Sequence, residues 1–379
     1  MTRPIYLDHA ATTPLDESVI QAMMPYFTEK SYNPSAQYEA ARQVKKDISA
    51  ARTTIASYFG ARPSEVVFTA GGTEANNIAI HGIMQRFPDA HIAVASVEHD
   101  SVLLPAQKYN HTEIRAAADG TITPEATARA ITADTVLVSV QYANNEVGTI
   151  QPIKDIAQVV EAVRAERRAS GNTMPLYFHT DACQVPAYLD IHVSRLGVDL
   201  MTINGSKLYG PKQIGCLFVK SGIVLEPLAQ GGGQERGLRS GTENVPSIIG
   251  LAAALKLAQE NRYNETERLS EVQKHFIERV SRLPGVTING SHKHRLANNV
   301  HITIAGKDNE TLMMQLDDMG IQCAVGSACS ASNDEPSHVL MAMGLSEADA
   351  QSSLRFTMGR STNKEDIDYV VDSLGKLIG

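Results

Sequence analysis

The sequence is poor in cysteine, has no long apolar run and carries no excess of positive charge. Only 4 of its 379 residues are cysteine. Because no two of them form a C-x-x-C pair, we expect no disulfide framework and no metal or iron–sulfur site formed by this chain alone. No window approaches the roughly 18 uninterrupted apolar residues of a membrane span, and the amino-terminal MTRPIYLDHA lacks the apolar centre of a signal peptide. These absences predict a cytoplasmic protein that does not enter a membrane.

Charge and length limit the function classes further. A formal net charge of -8 and an isoelectric point near 5.9 argue against direct binding of nucleic acid, which needs a basic surface. Hydrophobic residues make up 43% and charged residues 20% of the chain, as in an ordinary globular protein. A chain of this length predicts two domains, or one large and one small domain.

Helices and short apolar runs alternate over the larger, amino-terminal part of the chain. The segment from about residue 35 to Gly60 has apolar residues at helical spacing and predicts a long helix. The apolar runs that follow predict a mainly parallel sheet with helices on both faces, which binds ligands at the carboxyl ends of its strands. The predicted strands are VVFT (66–69), HIAVAS (91–96), TVLVSV (135–140), PLYFHT (175–180), VDLMTI (198–203) and GCLFVK (215–220).

The carboxyl-terminal part has a different character. After GGGQERGLRSGTENVP, residues 231–246, a long polar helix is predicted to end near Leu283, and a smaller α+β unit follows. The last helix is predicted to begin with a capping box at Thr362–Glu365. The strands predicted in this unit are NNVHITI (298–304), IQCAV (321–325) and SLRFTM (353–358). The predicted domains are residues 14–255 and residues 256–379, with residues 1–13 packed on the second.

Two glycines follow the first of these strands, directly before a predicted helix. At Gly71 and Gly72 the missing side chains let the backbone approach an anion, and the helix amino terminus offers free N–H groups and a favourable dipole. A tight structural turn is the alternative interpretation of such a pair. The patterns G-x-x-x-x-G-K-[ST] and G-x-G-x-x-G are absent here, which disfavours ATP and dinucleotides. The turn predicts a phosphate site of another kind.

Chemically active residues follow the other predicted strands. His99, Asp181 and Lys207 each come a few residues or less after an apolar run. Taken alone, His99 is better explained as a loop histidine, and Asp181 and Lys207 have alternative interpretations as a turn residue and a surface lysine. Together with the phosphate turn they are what pyridoxal phosphate requires, because a lysine amine bonds to its aldehyde and a carboxylate keeps its ring nitrogen protonated. The sequence therefore predicts a pyridoxal phosphate enzyme.

A series of short motifs runs through almost the whole chain. They are LDHAATTP (7–14), NPSA (33–36), GGTEANN (71–77), EHDS (98–101), NNEVG (144–148), HTDACQ (179–184), GSKLYGPKQIG (205–215), RSGTENVP (239–246), GSACS (326–330) and LRFTMGR (354–360). In type and order they resemble the motifs of the cysteine desulfurases of NifS/IscS type. The resemblance implies an α/β fold-type I pyridoxal phosphate transferase, with a large domain built on a mainly parallel sheet flanked by helices, a smaller α+β domain, and a homodimer.

The resemblance also implies a role for each matching residue. Lys207 would bond to the cofactor aldehyde, Asp181 would pair with the pyridine nitrogen, and His99 would stack on the ring and assist proton transfers. Many relatives have Ser-x-His before the lysine where this chain has Asn204, Gly205 and Ser206, so one phosphate donor differs. The other implied contacts are Gly72, Thr73, Asn204 and Ser206 around the phosphate, Thr242 from the neighbouring subunit, Asn145 and Gln184 at the ring hydroxyl or the substrate, and Asn33 and Arg355 at the substrate carboxylate.

One cysteine lies in a segment with little side chain to pack around it. Cys329 is flanked by Gly, Ser, Ala and turn-forming residues in AVGSACSASNDEP, which predicts an exposed loop and a thiol that is either functional or merely tolerated there. The resemblance implies that Cys329 attacks the sulfur of L-cysteine held on the cofactor, forming a persulfide and leaving L-alanine. The sulfur would then pass to an acceptor protein for iron–sulfur cluster assembly or tRNA thiolation. Many relatives have a tail after the last helix that meets a scaffold protein, whereas this sequence ends at Gly379, so the acceptor stays open.

Three other functions remain open at this point. An aminotransferase or another lyase could use the same fold and cofactor without needing Cys329. A selenocysteine lyase would bind selenium where a desulfurase binds sulfur. A noncatalytic sulfur-relay protein would bind an acceptor but would form no alanine from cysteine.

Overall fold

The computed structural model describes residues 4–326 and 336–379. The strands are β1 Ile5–Tyr6, β2 Val66–Thr69, β3 His91–Ala95, β4 Asn110–Ile114, β5 Thr135–Ser139, β6 Tyr177–Asp181, β7 Leu200–Asn204, β8 Gly215–Val219, β9 Val286–Ile288, β10 Asn299–Ile304, β11 Ile321–Gln322 and β12 Ser353–Thr357. The α-helices are α1 Glu17–Met23, α2 Glu39–Phe59, α3 Gly72–Met84, α4 Asp100–Ala106, α5 Pro124–Ala130, α6 Ile153–Ser170, α7 Val193–Leu196, α8 Val245–Val280, α9 Asn309–Asp318, α10 His338–Ala342, α11 Glu347–Ala350 and α12 Lys364–Ile378.

A 7-stranded sheet forms the centre of the molecule. Its strand order is β2-β8-β7-β6-β5-β3-β4, and all neighbours run parallel except that β8 is antiparallel to both β2 and β7. Along β2, Val66 and Phe68 enter one apolar core and Val67 enters the other, as expected of a sheet covered by helices on both faces. The predicted α/β fold and mainly parallel sheet are confirmed.

The helix predicted from about residue 35 begins later, at Glu39. The side chain of Asn33 accepts a hydrogen bond from the backbone N–H of Ser35 (2.9 Å), and the carbonyl of Asn33 accepts one from Ala36 (3.1 Å). These bonds close a local turn, which competes with helix formation over this segment. The prediction was therefore wrong about the first residues of this helix.

The carboxyl-terminal part contains a second, antiparallel sheet of order β12-β10-β9. The amino-terminal strand β1 pairs in parallel with β11, so residues 5–6 lie beside residues 321–322. Helix α8 is 36 residues long and runs through the predicted boundary near residue 255, and the division into two domains stays a prediction. Within the described ranges no helix is long and apolar enough to cross a membrane.

The capping box of the last helix lies one residue later than predicted. The side chain of Asn363 accepts a hydrogen bond from the backbone N–H of Asp366 (2.8 Å), and the Asp366 carboxylate accepts one from the N–H of Asn363 (3.1 Å). The hydroxyl of Thr362 instead accepts from the backbone N–H of Gly359 (3.0 Å). The prediction of a box at Thr362–Glu365 was wrong because that hydroxyl is already bonded to the preceding turn.

One buried acid at the start of β2 makes stability depend on pH. Burial by itself would raise the pKa of Glu65, but hydrogen bonds from Ser221 and Arg62 lower it to about 2. A lowered pKa stabilises the folded state above the ordinary value of 4.5, and this contribution is lost as the pH falls towards 2. We expect Glu65→Gln to lower the free energy of unfolding by about 2 kcal/mol at pH 7.

Urea unfolding of wild type and Glu65→Gln at a series of pH values checks this expectation. The difference between the two proteins should be constant above about pH 5 and should shrink below it. Glu113→Gln, at an exposed position on the edge strand β4, serves as the control and should change little. A difference in the free energy of unfolding that grows on acidification would contradict the lowered pKa of Glu65.

Candidate active site

A cavity of about 190 Å³ lies at the carboxyl ends of the central strands. Asp181 is the last residue of β6 and Asn204 the last residue of β7, while Gln141 and His99 follow β5 and β3. Parallel strands bring these ends to one edge of the sheet, where the α/β architecture places ligands. The cavity is lined by Ala10, Ala11, Gly72, Thr73, Asn76, His99, Ser101, Gln141, Ala143, Asn145, Asp181, Cys183, Gln184, Asn204, Lys207 and Arg355.

The turn between β2 and α3 forms one wall of this cavity. Gly71 has φ 149°, a conformation that side-chain-bearing residues rarely adopt, and α3 begins at the next residue. A Cβ atom on Gly72 would lie 2.7 Å from Cys183 Sγ and 3.5 Å from the Cβ of Asn204. The first N–H groups of α3 have no partner within the helix and carry its positive dipole end. The wall is suited to an anion.

Asp181 is held from two sides. Its Oδ2 accepts a hydrogen bond from the Asn76 side chain (2.7 Å), and its Oδ1 accepts one from the backbone N–H of Cys183 (2.9 Å). Each carboxylate oxygen can accept a further hydrogen bond. Nearby, burial raises the pKa of Glu98 well above its usual range, and the charge of Asp181 raises it further. The raised pKa favours the neutral form of Glu98.

The imidazole of His99 has a defined orientation. His99 caps helix α4, and its Nδ1 accepts the backbone N–H of Ser101 (3.0 Å) and lies 2.8 Å from the Ser101 hydroxyl. In the neutral ring the proton is then on Nε2. The same hydroxyl accepts a hydrogen bond from Asn76 (2.9 Å), whose amide also donates to Asp181. A short chain of hydrogen bonds therefore joins His99 to Asp181.

Lys207 reaches the cavity from the short turn after β7. Its Nζ donates hydrogen bonds to the carbonyls of Ala10 (2.7 Å) and Ala11, both in the amino-terminal segment. The Gln184 side chain donates to the same Ala10 carbonyl (3.0 Å). Both acceptors are neutral backbone carbonyls, and they orient the amine within the cavity.

A buried arginine closes the side of the cavity nearest β12. The Arg355 side chain is 2% exposed and forms an ion pair of 2.7 Å with Asp8. It also donates to the carbonyl of Asn145 (3.2 Å), whereas its Nε is buried without a hydrogen-bond partner in the described chain. A buried guanidinium with an unused donor is suited to a carboxylate ligand.

The cavity unites most of the predicted site residues. Ser206 does not line it, because its hydroxyl and backbone N–H both donate to the Asn204 side chain (3.3 Å each). Asn33 and Thr242 are exposed and outside the cavity within this single chain, and Cys329 lies outside the described residues. The roles predicted for all of these residues stay predictions. Those that line the cavity are Gly72, Thr73, His99, Asn145, Asp181, Gln184, Asn204, Lys207 and Arg355.

Besides alanines, four lining residues were given no role by the sequence reasoning. Asn76 and Ser101 connect His99 with Asp181, and Gln141 and Cys183 follow β5 and β6. The signal for Asn76 was an amide on the buried, apolar face of a helix, beside the buried Ala75. Since buried polar groups need partners, such a position indicates a hydrogen-bond network.

The family model for aminotransferase class-V matches residues 5–370. The chain belongs to the class-V aminotransferase family. Among curated members it is 40% identical to the cysteine desulfurase IscS of Dictyoglomus turgidum, over 100% of this chain and 95% of the relative. This similarity places it with the cysteine desulfurases of the family.

Two solved structures have a similar fold. A NifS-like protein superposes with a TM-score of 0.90 at 28% identity, covering 99% of both chains. SspA in complex with cysteine superposes with a TM-score of 0.81 at 34% identity, covering 93% of this chain and 98% of the other. The class-V fold predicted from the motifs is confirmed.

Class-V enzymes of this type use pyridoxal phosphate, and the cavity fits it. The amino terminus of α3 with Gly72 and Thr73 suits the phosphate, and Asp181 has oxygens free to accept the pyridine N–H. The Lys207 amine opens into the same space. The absence of a side chain at Gly72 keeps clear the space between α3 and Cys183.

This close approach predicts the effect of a methyl group at the turn. We expect Gly72→Ala to weaken pyridoxal phosphate binding about tenfold, because overpacking of this size costs about 1–3 kcal/mol. Removing the opposing sulfur in Gly72→Ala/Cys183→Ala should restore most of the affinity. Absorbance titration with the cofactor measures both, with Cys183→Ala alone as the reference. Equally weak binding by the single and double variants would contradict the steric explanation.

Proposed function

We propose that this class-V enzyme removes sulfur from L-cysteine, releases L-alanine and passes the sulfur from Cys329 to an acceptor protein, working as a homodimer. The observation that carries the proposal is the convergence of Lys207, Asp181, His99 and the α3 turn on one cavity. When bound there, pyridoxal phosphate supplies an electron-accepting ring that stabilises negative charge on the substrate carbons.

Arg355 is the residue best suited to bind the substrate carboxylate. Its buried Nε donor has no partner in the described chain, and its pairing with Asp8 fixes the direction of the guanidinium. A carboxylate would complete the hydrogen bonds of this group, which is otherwise costly to bury. Asn145 lines the cavity beside it, and its carbonyl holds a second edge of the guanidinium.

Proton transfers are assigned to Lys207 and His99. The amine of Lys207, which donates to the carbonyls of Ala10 and Ala11, is assigned to take the substrate Cα proton and to return it. His99 keeps Nδ1 bonded to Ser101, so exchange with the substrate is left to Nε2. Asp181 is oriented by its two hydrogen bonds and would pair with the ring nitrogen.

The described cysteines are poor candidates for the attacking thiol. Burial raises the pKa of Cys323 to about 12, raises that of Cys216 still further, and raises that of Cys183 well above its usual range. The thiolate is the nucleophile, so thiols held protonated are inert. Of the four cysteines this leaves Cys329, whose predicted environment is a loop of small residues.

The sulfur transfer balances without an external oxidant. The Cys329 thiolate forms a bond to the substrate sulfur, and the carbon–sulfur bond breaks with its electron pair going to the substrate carbon. That carbon takes up a proton. The substrate amine is then released, and the product leaves as alanine. The persulfide on Cys329 then carries the sulfur to the acceptor.

The test is to incubate the purified, cofactor-loaded protein with L-cysteine and to measure alanine and protein-bound sulfur together. The proposal expects one alanine for each sulfur transferred when a thiol acceptor is supplied. An aminotransferase would instead need an oxo acid and would form no alanine from cysteine alone, and a sulfur-relay protein would form none under any condition. L-selenocysteine in a parallel assay distinguishes a selenocysteine lyase, and light scattering measures the predicted dimer.

A further inference from the structure

The outer edge of β2 is covered by the segment of residues 234–241, which has no assigned role in the site. β2 is the edge strand of the central sheet and ends at the turn that leads to Gly72. Exposed edges leave backbone groups unpaired. Here they are bonded by side chains: the backbone N–H of Phe68 donates to Glu235 (2.9 Å), and Arg236 donates to the carbonyl of Val66 (3.0 Å).

Glu235 is the centre of this contact. Its side chain is 4% exposed and receives two hydrogen bonds from Arg52, of 2.7 and 2.6 Å. Arg52 also donates to the carbonyl of Val66 (2.8 Å) and lies over the ring of Phe68. A bidentate, buried pair of this kind has a single geometry, so it fixes the segment on the strand.

The backbone of the segment is strained. Glu235 and Arg236 have φ of 47° and 60°, the left-handed region that residues with side chains seldom adopt, and they adopt it in succession. Strain of this kind persists only where surrounding contacts hold it, and it concentrates at functional sites. The side-chain hydrogen bonds that hold it here involve Arg52, Val66 and Phe68.

The segment also contacts the residues that follow the Ala70–Gly72 turn. Arg239 forms an ion pair of 3.3 Å with Glu74, and the other carboxylate oxygen of Glu74 accepts the backbone N–H of Ala70. Gln234 accepts the backbone N–H of Gly241 (2.9 Å), the residue before Thr242. The turn at Ala70–Gly72 is thus bounded by contacts of this segment before and after it.

We propose that Glu235 is a positioning residue that fixes the Ala70–Gly72 turn for the cofactor phosphate. This inference rests on the proposed function, since it assumes that pyridoxal phosphate binds at that turn. Glu235 does not line the cavity, and it acts through Phe68 and the end of β2. Its loss should therefore weaken the cofactor's binding more than it weakens the fold.

The experiment compares Glu235→Gln with Glu65→Gln. Both replace a buried glutamate next to β2 by an isosteric amide, but Glu65 lies directly before the strand, at the end opposite the turn, and bonds to Ser221 and Arg62. We expect the dissociation constant for pyridoxal phosphate, measured by absorbance titration after the cofactor has been removed, to rise about tenfold in Glu235→Gln, the scale of one lost hydrogen bond to a charged group. In Glu65→Gln it should stay as in wild type, although both variants unfold more easily.

Equal dissociation constants in the two variants would overturn the proposal. If Glu235→Gln does not fold, Glu235→Asp decides, because it keeps the charge but is too short to reach both Arg52 and the backbone N–H of Phe68. An unchanged dissociation constant in Glu235→Asp would then reject the positioning role. A wild-type protein that takes up no pyridoxal phosphate would instead contradict the proposed function. Failure of the positioning role and failure of the proposed function are therefore distinguishable.

Discussion

Lys207→Ala should form no measurable alanine from L-cysteine, with a fall in rate of about 10⁴-fold or more, as for the loss of an enzyme's covalent group. The amine is the only lysine group that lines the described cavity, and it is both the predicted attachment point of the cofactor and the predicted carrier of the Cα proton. Alanine assay and the visible absorbance of the cofactor bound through this amine measure the two roles separately.

Lys212→Ala is the matched control for this variant. Lys212 lies five residues further along the same loop but is exposed, so its removal should leave alanine formation near the wild-type rate. Alanine formation by Lys207→Ala at a comparable rate would remove the basis of the proposed chemistry, whichever cofactor were bound.

Cys329→Ser should lose sulfur transfer by about 10³-fold or more while still binding the cofactor and L-cysteine. A serine hydroxyl is barely ionised at neutral pH and is a poor nucleophile towards sulfur, whereas a thiolate is a strong one. Protein-bound persulfide and released sulfide measure the transfer, and the change in the cofactor spectrum on adding L-cysteine measures binding.

Cys323→Ala gives the corresponding control, since it removes a thiol six residues away whose pKa burial has raised to about 12. It should keep sulfur transfer. A Cys329→Ser variant that transfers sulfur normally would favour another nucleophile, and one that converts cysteine with an oxo acid would favour the aminotransferase alternative.

Much of the site follows from one rule about sheets. Asp181, Asn204 and Lys207 could be predicted because each ends or follows an apolar run, and parallel strands place such residues at one edge. Asn76 was given no role because its importance lies in reaching Ser101 and Asp181, which are distant in sequence. Pairing between distant residues leaves no local pattern to detect.

The errors in the predicted secondary structure have local physical causes. β4 carries mostly exposed polar residues, since it is an edge strand, and so lacks the apolar run that identified its neighbours. The antiparallel direction of β8 cannot be read from an apolar run, which looks the same in either direction. Asn33 and Thr242 are both exposed in the single chain, and the role predicted for Thr242 depends on a neighbouring subunit.

The amino-terminal segment gives the cavity an unusual order of assembly. The carbonyls of Ala10 and Ala11 hold the Lys207 amine, and His9 bonds to Thr357, 348 residues further along the chain. Contacts between such distant residues form late, because long loops must close first. On the ribosome, the lysine pocket therefore cannot be completed until β12 has been synthesised. A nascent chain that already contains the whole central sheet still lacks a complete binding site for the cofactor.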